Sequence, residues 1–142
     1  VMTTPIERYV KFLKVLSVNN LDELSQYVTA DVHFSDPFND VKGVENMRRV
    51  LLDMFKHVGP VEFRILHSSG DADIGVIVWH FRAHLMRKPW NFHGTSVLKF
   101  GECGRVSEHV DYWDAARDFY EHLPIIGWLL GVFRRRLAIR IP

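Results

Sequence analysis

The sequence has 142 residues and little of several features that mark specialised classes of protein. Its single cysteine, Cys103, cannot close an internal disulfide, so we expect a fold that suits a reducing compartment. Lysine and arginine number 18 against 17 acidic residues, which gives no basic excess of the kind that nucleic-acid binders carry. The longest charge-free apolar run, Leu123 to Phe133, is far shorter than the roughly 20 residues that span a bilayer.

Several catalytic signatures are missing as well. The sequence has no glycine-rich phosphate loop, no paired-cysteine zinc spacing and no Gly-x-Ser-x-Gly nucleophile elbow. Val1 to Pro5 show no basic segment followed by an apolar core, so we expect no secretion signal. We therefore expect a cytoplasmic protein with no nucleic-acid partner, no membrane attachment, no metal and no cofactor.

What the chain does have is apolar and aromatic material. Hydrophobic residues make up 47% of the sequence and aromatic residues 13%, which is enough to bury a core and excludes disorder. We find no internal repeat and no linker. The sequence predicts one domain over residues 1–142, in which 115–142 form a C-terminal helical extension.

The first half of the chain predicts three helices and one short strand. Thr4 and Pro5 begin the first helix, which ends near Asn19 and Asn20, and a second short helix follows. A strand at 32–36 is stopped by Pro37, and Gly43 opens a third helix that ends at Gly59-Pro60.

The second half alternates like a series of strands joined by hairpins. The pattern predicts strands at 61–65, 74–86, 92–100 and 105–113, with a turn at 101–104. Helical segments at 115–123 and 125–137 follow, interrupted by Pro124. Helices packed on one face of a curved antiparallel sheet form an α+β cone, whose inside is the place to expect a ligand.

This order of elements resembles the nuclear transport factor 2-like superfamily, which has the cystatin-like cone fold. The resemblance rests on Asp36-Pro37 after the short strand and Gly43 at the start of the third helix, and it extends to about Ala115. The superfamily includes ketosteroid isomerase, scytalone dehydratase, limonene epoxide hydrolase and the SnoaL-like polyketide cyclases. It implies homodimerisation through the sheet, with His80, Arg82 and His84 on the outer face.

Matched to ketosteroid isomerase, individual residues gain expected roles. Tyr9 in Arg8-Tyr9-Val10 resembles the tyrosine that donates a hydrogen bond to the substrate ketone, and Asp36 resembles the general base. Ser96 falls where the isomerase has a second, protonated aspartate, and a serine lacks that acidity. In the cyclases an acid/base aspartate ends the last strand, in a position that Asp114 resembles.

The residues themselves leave alternatives open. Burial at the mouth of an aromatic cavity would suit Asp36 to act as a base, but Asp-Pro after a strand is also a common turn. The Tyr9 hydroxyl, on the apolar side of the first helix, needs a partner that is either a substrate carbonyl or a core group. Asp114 is either an acid/base residue or the N-cap of the helix that begins at Ala115.

The segment from His109 to Asp114 is the densest polar cluster in the chain. Strand alternation places His109, Asp111 and Trp113 on one face, which we expect to point into the cone. A His two residues from an Asp could form an acid–base pair or supply two metal ligands, with His33 or Asp36 approaching in space. We expect Asp111, rather than Asp114, inside the cavity.

The sequence therefore predicts an isomerase, dehydratase or cyclase that acts on an apolar carbonyl compound without a cofactor. Asp36 is the expected general base, Tyr9 the oxyanion donor, and His109 with Asp111 a second proton-handling pair. The expected ligand pocket consists of Phe34, Met47, Met54, Trp79, Phe81, Phe92, Ser96 and Trp113. The alternative is a non-catalytic domain that binds a hydrophobic ligand or a protein partner.

The C-terminal segment departs from the compact members of the superfamily. An apolar stretch is followed by Arg134, Arg135, Arg136 and Arg140. We expect a helix that packs on the sheet or plugs the cone, with its arginines in solvent. A helix lying in a membrane interface is the alternative.

Overall fold

The computed structural model describes residues 3–58, 60–85 and 87–138. The α-helices of these ranges are α1 (Pro5–Lys14), α2 (Val44–His57), α3 (Ala115–Asp118) and α4 (Ile126–Leu137). Short 3-10 helices occupy Leu21–Gln26, Glu102–Gly104 and Tyr120–His122. The strands are β1 (Val28–Ser35), β2 (Asp40–Lys42), β3 (Glu62–Gly70), β4 (Ile74–Leu85), β5 (Lys88–Phe100) and β6 (Val106–Tyr112).

These strands form one curved sheet in the order β2-β1-β6-β5-β4-β3. Every neighbouring pair is antiparallel except β1 and β6, which run parallel. Helices α1 and α2 and the first 3-10 helix pack on the concave side, which gives the predicted α+β cone.

The ends of the elements follow local chemistry. Thr4 caps α1 by accepting a hydrogen bond from the Glu7 amide, and Pro5 occupies the first turn as predicted. Gly43 begins α2 with a φ of 94°, a conformation that costs a glycine little. Asp114 caps α3 through a bond from the Arg117 amide, so it has the capping role.

Several predicted boundaries need correction. The second helix is a 3-10 helix, and the first strand begins at Val28 rather than Val32. The strand β2 was not predicted at all, because three residues are too few to show alternation. Three positions lie outside the described residues: Met86, where a strand was predicted to end, Gly59, where a helix was predicted to end, and Arg140.

The core is built from the inward side of β4 and β5 and the apolar sides of the helices. Ile77, Trp79, Phe81 and Ala83 alternate along β4 and are all buried, as the pattern predicted. The other side of β4 is more exposed, at Arg82 and His84 most of all, in keeping with the predicted outer face.

Trp79 fits into this core because Gly94 lies opposite it on β5. A Cβ atom at Gly94 would lie 2.3 Å from Cη2 of the Trp79 ring. The indole therefore lies flat over the glycine backbone.

The side chain of His33 on β1 contacts residues on both neighbouring strands, β2 and β6. Its Nε2 lies 2.5 Å from Asp40 Oδ1 on β2, and its Nδ1 lies 3.5 Å from Glu108 Oε2 on β6. The hydrogen bond to Asp40 raises the pKa of the His33 imidazole, and Glu108 acts in the same direction, while partial burial opposes them.

The described residues include no helix long and apolar enough to cross a membrane. The last helix, α4, packs against the 3-10 helix at 120–122. The sequence predicted a helix that packs on the sheet or plugs the cone, and the second alternative is wrong, because Trp128 and Leu129 on this helix are exposed.

We predict that Gly94→Ala destabilises the protein by about 1–3 kcal/mol, because the added methyl group must displace the Trp79 ring from a packed core. Urea denaturation measures the loss. Gly101→Ala is the matched control, since its Cβ would lie 3.3 Å from the nearest atoms, both side-chain carbons. Equal losses in the two variants would contradict the packing role of Gly94.

We also predict that His33 stabilises the fold more in acid than in base. Since its folded pKa is raised above the ordinary value, its contribution is complete below the unfolded pKa of about 6.5 and is lost as the pH rises through the folded pKa. The gap in unfolding free energy between the natural chain and His33→Gln should therefore narrow from pH 5.5 to pH 8.5. A gap that widens would contradict the sign of the shift.

Candidate active site

The carboxylate of Asp111 lies at the boundary between the core and an open cleft. Asp111 and His109 alternate on β6 and share the inward face, as predicted. The His109 side chain is 7% exposed and that of Asp111 is 20% exposed. The imidazole is therefore a core group, whereas the carboxylate reaches the surface of the cleft.

One oxygen of this carboxylate is held by two buried donors. Ser96 Oγ donates to Asp111 Oδ1 at 2.5 Å, and His109 Nε2 lies 2.7 Å from the same oxygen. Ser96 faces Asp111 across the β5–β6 ladder and is 1% exposed. Hydrogen bonds of this kind to a charged acceptor are among the strong ones in proteins.

A series of hydrogen bonds, which we call the chain of contacts, runs from Trp79 through Ser96, Asp111 and His109 to Tyr9. The direction of the bonds at its first end is fixed by Trp79. The indole nitrogen of Trp79 can only donate, and it lies 2.9 Å from Ser96 Oγ. Ser96 therefore accepts from Trp79 and has its own proton for Asp111. The position of the Trp79 ring over Gly94 thus helps to orient the serine hydroxyl.

The other end of the chain of contacts is Tyr9 on α1. Its hydroxyl lies 2.7 Å from His109 Nδ1, and both side chains are buried. With Nε2–H directed at Asp111, Nδ1 of a neutral imidazole is an acceptor, so Tyr9 donates to it. This arrangement gives the buried tyrosine proton a partner.

Burial raises the pKa of the Tyr9 phenol far above its ordinary value, and the negative charge of Asp111 raises it further. The phenol therefore stays protonated at neutral pH and can act as a donor throughout. Its partner is a core imidazole, whereas the resemblance to ketosteroid isomerase implied a substrate ketone.

The second oxygen of Asp111 is in a different situation. Among the described residues no donor lies within hydrogen-bond distance of Oδ2, and this atom is not buried. A carboxylate with one oxygen fixed and the other open has a defined lone-pair direction towards whatever enters the cleft.

The cleft in front of Asp111 has a volume of about 500 Å³. It lies where β1 and β6 end side by side, because these two strands run parallel. Its lining consists of Ser35, Asp36, Pro37, Val110, Asp111, Tyr112 and Trp113. The lining is mixed, with apolar walls, two hydroxyl groups and two carboxylates.

Asp36 lines the cleft but is engaged in the turn that follows β1. Its Oδ1 accepts hydrogen bonds from the amides of Phe38 at 2.8 Å and Asn39 at 2.7 Å, and the Asn39 side chain contacts both oxygens. The structure therefore gives Asp36 the turn-capping role that the sequence left open. The same turn places it beside Asp111 in the cleft lining.

Of the residues that the sequence assigned to a ligand pocket, the structure places Trp113 in the cleft lining. Phe34, Met47, Trp79, Phe81, Phe92 and Ser96 are buried core residues, and Met54 packs against them. Aromatic rings fill this region: Phe92 stacks on Trp113 with centroids 4.4 Å apart, and Trp79 lies 5.8 Å from Phe92. Because these side chains pack against one another, they form part of the core and not the lining of the cleft.

Sequence reasoning missed Ser35, Val110 and Tyr112 as cleft residues. Ser35 directly precedes Asp36, and the other two flank Asp111, so their nearness was visible in the sequence. What was not visible is the parallel pairing of Ser35 with Val110, which brings the two segments together.

Across residues 3–58, 60–85 and 87–138, no group of three or more His, Cys, Asp or Glu side chains is arranged to hold a metal ion. His33, one possible additional ligand, bonds to Asp40 and Glu108 instead.

The sequence profile of the SnoaL-like domain matches residues 7–109, which is most of the chain. The protein belongs to this family and to the nuclear transport factor 2-like superfamily, as the resemblance implied. No curated protein matches the sequence significantly.

Solved structures share the fold at low sequence identity. A hypothetical protein with a ketosteroid isomerase-like fold from Catenulispora acidiphila, in complex with trimethylamine, is 17% identical, with a TM-score of 0.70 over 82% of this chain and 91% of that one. An LEH-like epoxide hydrolase of M. tuberculosis is 20% identical, with a TM-score of 0.68 over 92% and 96%. A candidate SnoaL-like polyketide cyclase from Jannaschia sp. CCS1 is 13% identical, with a TM-score of 0.68 over 99% of both chains.

We predict that Tyr9→Phe costs about 1–3 kcal/mol of unfolding free energy, because it leaves the buried His109 Nδ1 without a donor. Tyr27→Phe is the matched control: the Tyr27 ring stacks on Phe12, and its hydroxyl makes no hydrogen bond among the described residues. The control should change stability by less than about 0.5 kcal/mol. Chemical denaturation of the two variants decides, and equal small losses would contradict the Tyr9–His109 bond.

Proposed function

We propose that this SnoaL-like domain is a proton-transfer enzyme of the isomerase, dehydratase or cyclase type, with Asp111 as its general base. The substrate class that we infer is a small, mainly apolar molecule with a carbonyl group. The observation that carries the proposal is the state of the Asp111 carboxylate in a residue that lines the cleft: Oδ1 is held by Ser96 and His109, and Oδ2 is not buried and accepts no hydrogen bond from the described residues.

The reaction that fits this arrangement starts at a carbon next to the carbonyl. Asp111 Oδ2 takes a proton from that carbon, and the electron pair of the C–H bond moves to form an enolate with its negative charge on the carbonyl oxygen. In a substrate with a β,γ carbon–carbon double bond this enolate is a dienolate. Asp111, now a carboxylic acid, returns the proton to the γ-carbon, the double bond moves to the α,β position, and the electron pair on oxygen re-forms the carbonyl group, which completes an isomerisation. No electron acceptor or co-reactant is needed.

The cleft has the properties that such a substrate requires. Its volume of about 500 Å³ suits a small molecule, and Pro37, Val110 and Trp113 offer apolar surface. Ser35 and Tyr112 each bring a hydroxyl group to the lining, and a hydroxyl can donate to the oxygen of a developing enolate.

The buried groups behind Asp111 act as positioning residues in this proposal. Ser96 and His109 stay bonded to Oδ1 while Oδ2 gains and loses the proton, so the carboxyl group keeps its direction. Tyr9 and Trp79 fix the hydrogen positions of His109 and Ser96 in turn. Trp79, Ser96 and Tyr9 are thus added to His109 and Asp111, the pair that the sequence predicted.

The base in this proposal is Asp111 rather than Asp36, which the sequence favoured. Both oxygens of Asp36 are engaged in its own turn: Oδ1 accepts from two backbone amides and Oδ2 accepts from the Asn39 side chain, whereas Oδ2 of Asp111 accepts no hydrogen bond from the described residues. A carboxylate that must keep those bonds is better suited to shaping the cleft than to moving a proton.

The known relatives support the general class. The fold is one that isomerase-like, epoxide hydrolase-like and cyclase-like proteins share, and these names describe chemistry on small molecules. Identities of at most 20% among these three carry the fold and leave the substrate to experiment.

Asp111→Asn and Asp36→Asn form a matched pair that tests this assignment. Apolar ketones deuterated next to the carbonyl are incubated with the protein in ordinary water, and proton NMR follows the exchange of deuterium. We expect Asp111→Asn to lower the exchange rate by about 10²–10⁴-fold, the usual contribution of a general base. Asp36→Asn should keep most of the activity, because asparagine can cap the same turn.

Two outcomes would contradict the proposal. The first is a large loss in Asp36→Asn with little loss in Asp111→Asn, which would return the base to Asp36. The second is exchange no faster than the Asp111→Asn background for every ketone in the panel. If those ketones still quenched tryptophan fluorescence, the domain would be a non-catalytic binder of hydrophobic ligands.

A further inference from the structure

The last helix, α4, packs against the rest of the protein through a face centred on two glycines. Gly127 and Gly131 are its buried residues. A Cβ at Gly127 would lie 2.4 Å from the carbonyl oxygen of Glu121, so the two backbones approach closely there. Beside the glycines, Arg134 donates to Glu121 from Nε at 2.7 Å and from Nη2 at 3.1 Å.

Most of the apolar side chains of the helix are exposed, whereas Leu130 and Val132 are half-buried. Trp128 is 66% exposed and Phe133 is 64% exposed, and Leu129 and the neighbouring Ile125 and Ile126 are exposed too. An amphipathic helix in a globular protein normally turns this face to the core. We call the surface formed by these five residues the α4 patch.

Positive charge lies directly beside the patch. Arg135 and Arg136 occupy the last turn of α4, and neither forms an ion pair within residues 3–58, 60–85 and 87–138. The helix itself contains no acidic residue. The apolar side chains thus occupy the first turns of the helix and the free cationic groups the last.

We propose that the α4 patch docks on an anionic lipid surface. Trp128, Leu129 and Phe133 would enter the boundary between headgroups and acyl chains, and the arginines would pair with lipid phosphates or carboxylates. Arginine side chains are long enough to reach headgroups while their stems cover apolar surface. This proposal stands apart from the proposed function, since it involves neither the cleft nor Asp111.

A second copy of this chain is a poorer occupant of the same surface. Two α4 patches placed together would bury the apolar side chains, but neither helix would bring an acidic group to the arginines of the other. An anionic lipid surface suits both the α4 patch and the arginines beside it, because it supplies an apolar interior and negative charge within a few ångströms of each other.

Vesicle sedimentation tests the proposal with the full chain. We expect the protein to sediment with vesicles of equimolar phosphatidylcholine and phosphatidylglycerol, weakly with phosphatidylcholine alone, and less as salt is added. Replacing Arg135 and Arg136 by glutamine should weaken the partition coefficient about five-fold per residue, which corresponds to about 1 kcal/mol per charge. Trp128→Ala should weaken it about ten-fold or more.

Matched controls separate the patch from general effects. Leu66→Ala removes a 46% exposed apolar side chain from β3, and Arg49→Gln removes a largely exposed arginine from α2. Both variants should bind as the natural chain does. Circular dichroism of all variants checks that the helix content is retained. If Trp128→Ala loses helix content, Phe133→Ala is used in its place.

Three outcomes would overturn the proposal. The first is no sedimentation with anionic vesicles. The second is binding that is equal on both vesicle types and indifferent to the arginine replacements. The third is self-association in solution that Trp128→Ala abolishes, without any vesicle binding, which would assign the patch to a second copy.

Discussion

The two hydrogen bonds to Oδ1 of Asp111 are the interaction on which the candidate site depends. A carboxylate between a packed core and an open cleft needs donors on its buried side, because an unsatisfied charge there is costly. Ser96 and His109 supply them, and each of these is in turn satisfied by a group deeper in the core. The oxygen that faces the cleft is left for chemistry.

This arrangement explains features of the fold that lie far from the cleft. The chain of contacts joins α1, β4, β5 and β6 through Tyr9, Trp79, Ser96 and His109, so the site is as rigid as the core itself. Gly94 contributes as well, because the space above its backbone allows the Trp79 indole to reach Ser96. Rigid support of this kind is what positions a general base.

Strand alternation predicted part of this site. It placed His109 and Asp111 on one inward face, because a period of two depends only on local sequence. The bond between Tyr9 and His109 joins residues 100 positions apart and could not be read from local patterns. The same holds for Ser96 and Asp111, whose pairing depends on the register of β5 and β6.

Other differences come from packing and from backbone hydrogen bonds. The aromatic residues that were expected to line a ligand pocket pack into the core instead, since the side-chain volumes decide how much space remains. Asp36 has its turn-capping role because two amides of its own turn lie within reach. Helix α4 departs from the usual amphipathic pattern, because two glycines and an ion pair lie at the centre of the face that packs against the protein.

The protonation of His109 is the point on which the orientation of Asp111 rests most directly. Nitrogen-15 NMR of the histidine rings, with His109 assigned by its replacement, distinguishes the two neutral forms of the imidazole and the cation. At neutral pH we expect the form with hydrogen on Nε2 and none on Nδ1, since that form alone uses the Tyr9 proton and donates to Asp111. A hydrogen found on Nδ1 would contradict the direction assigned to the hydrogen bond between Tyr9 and His109.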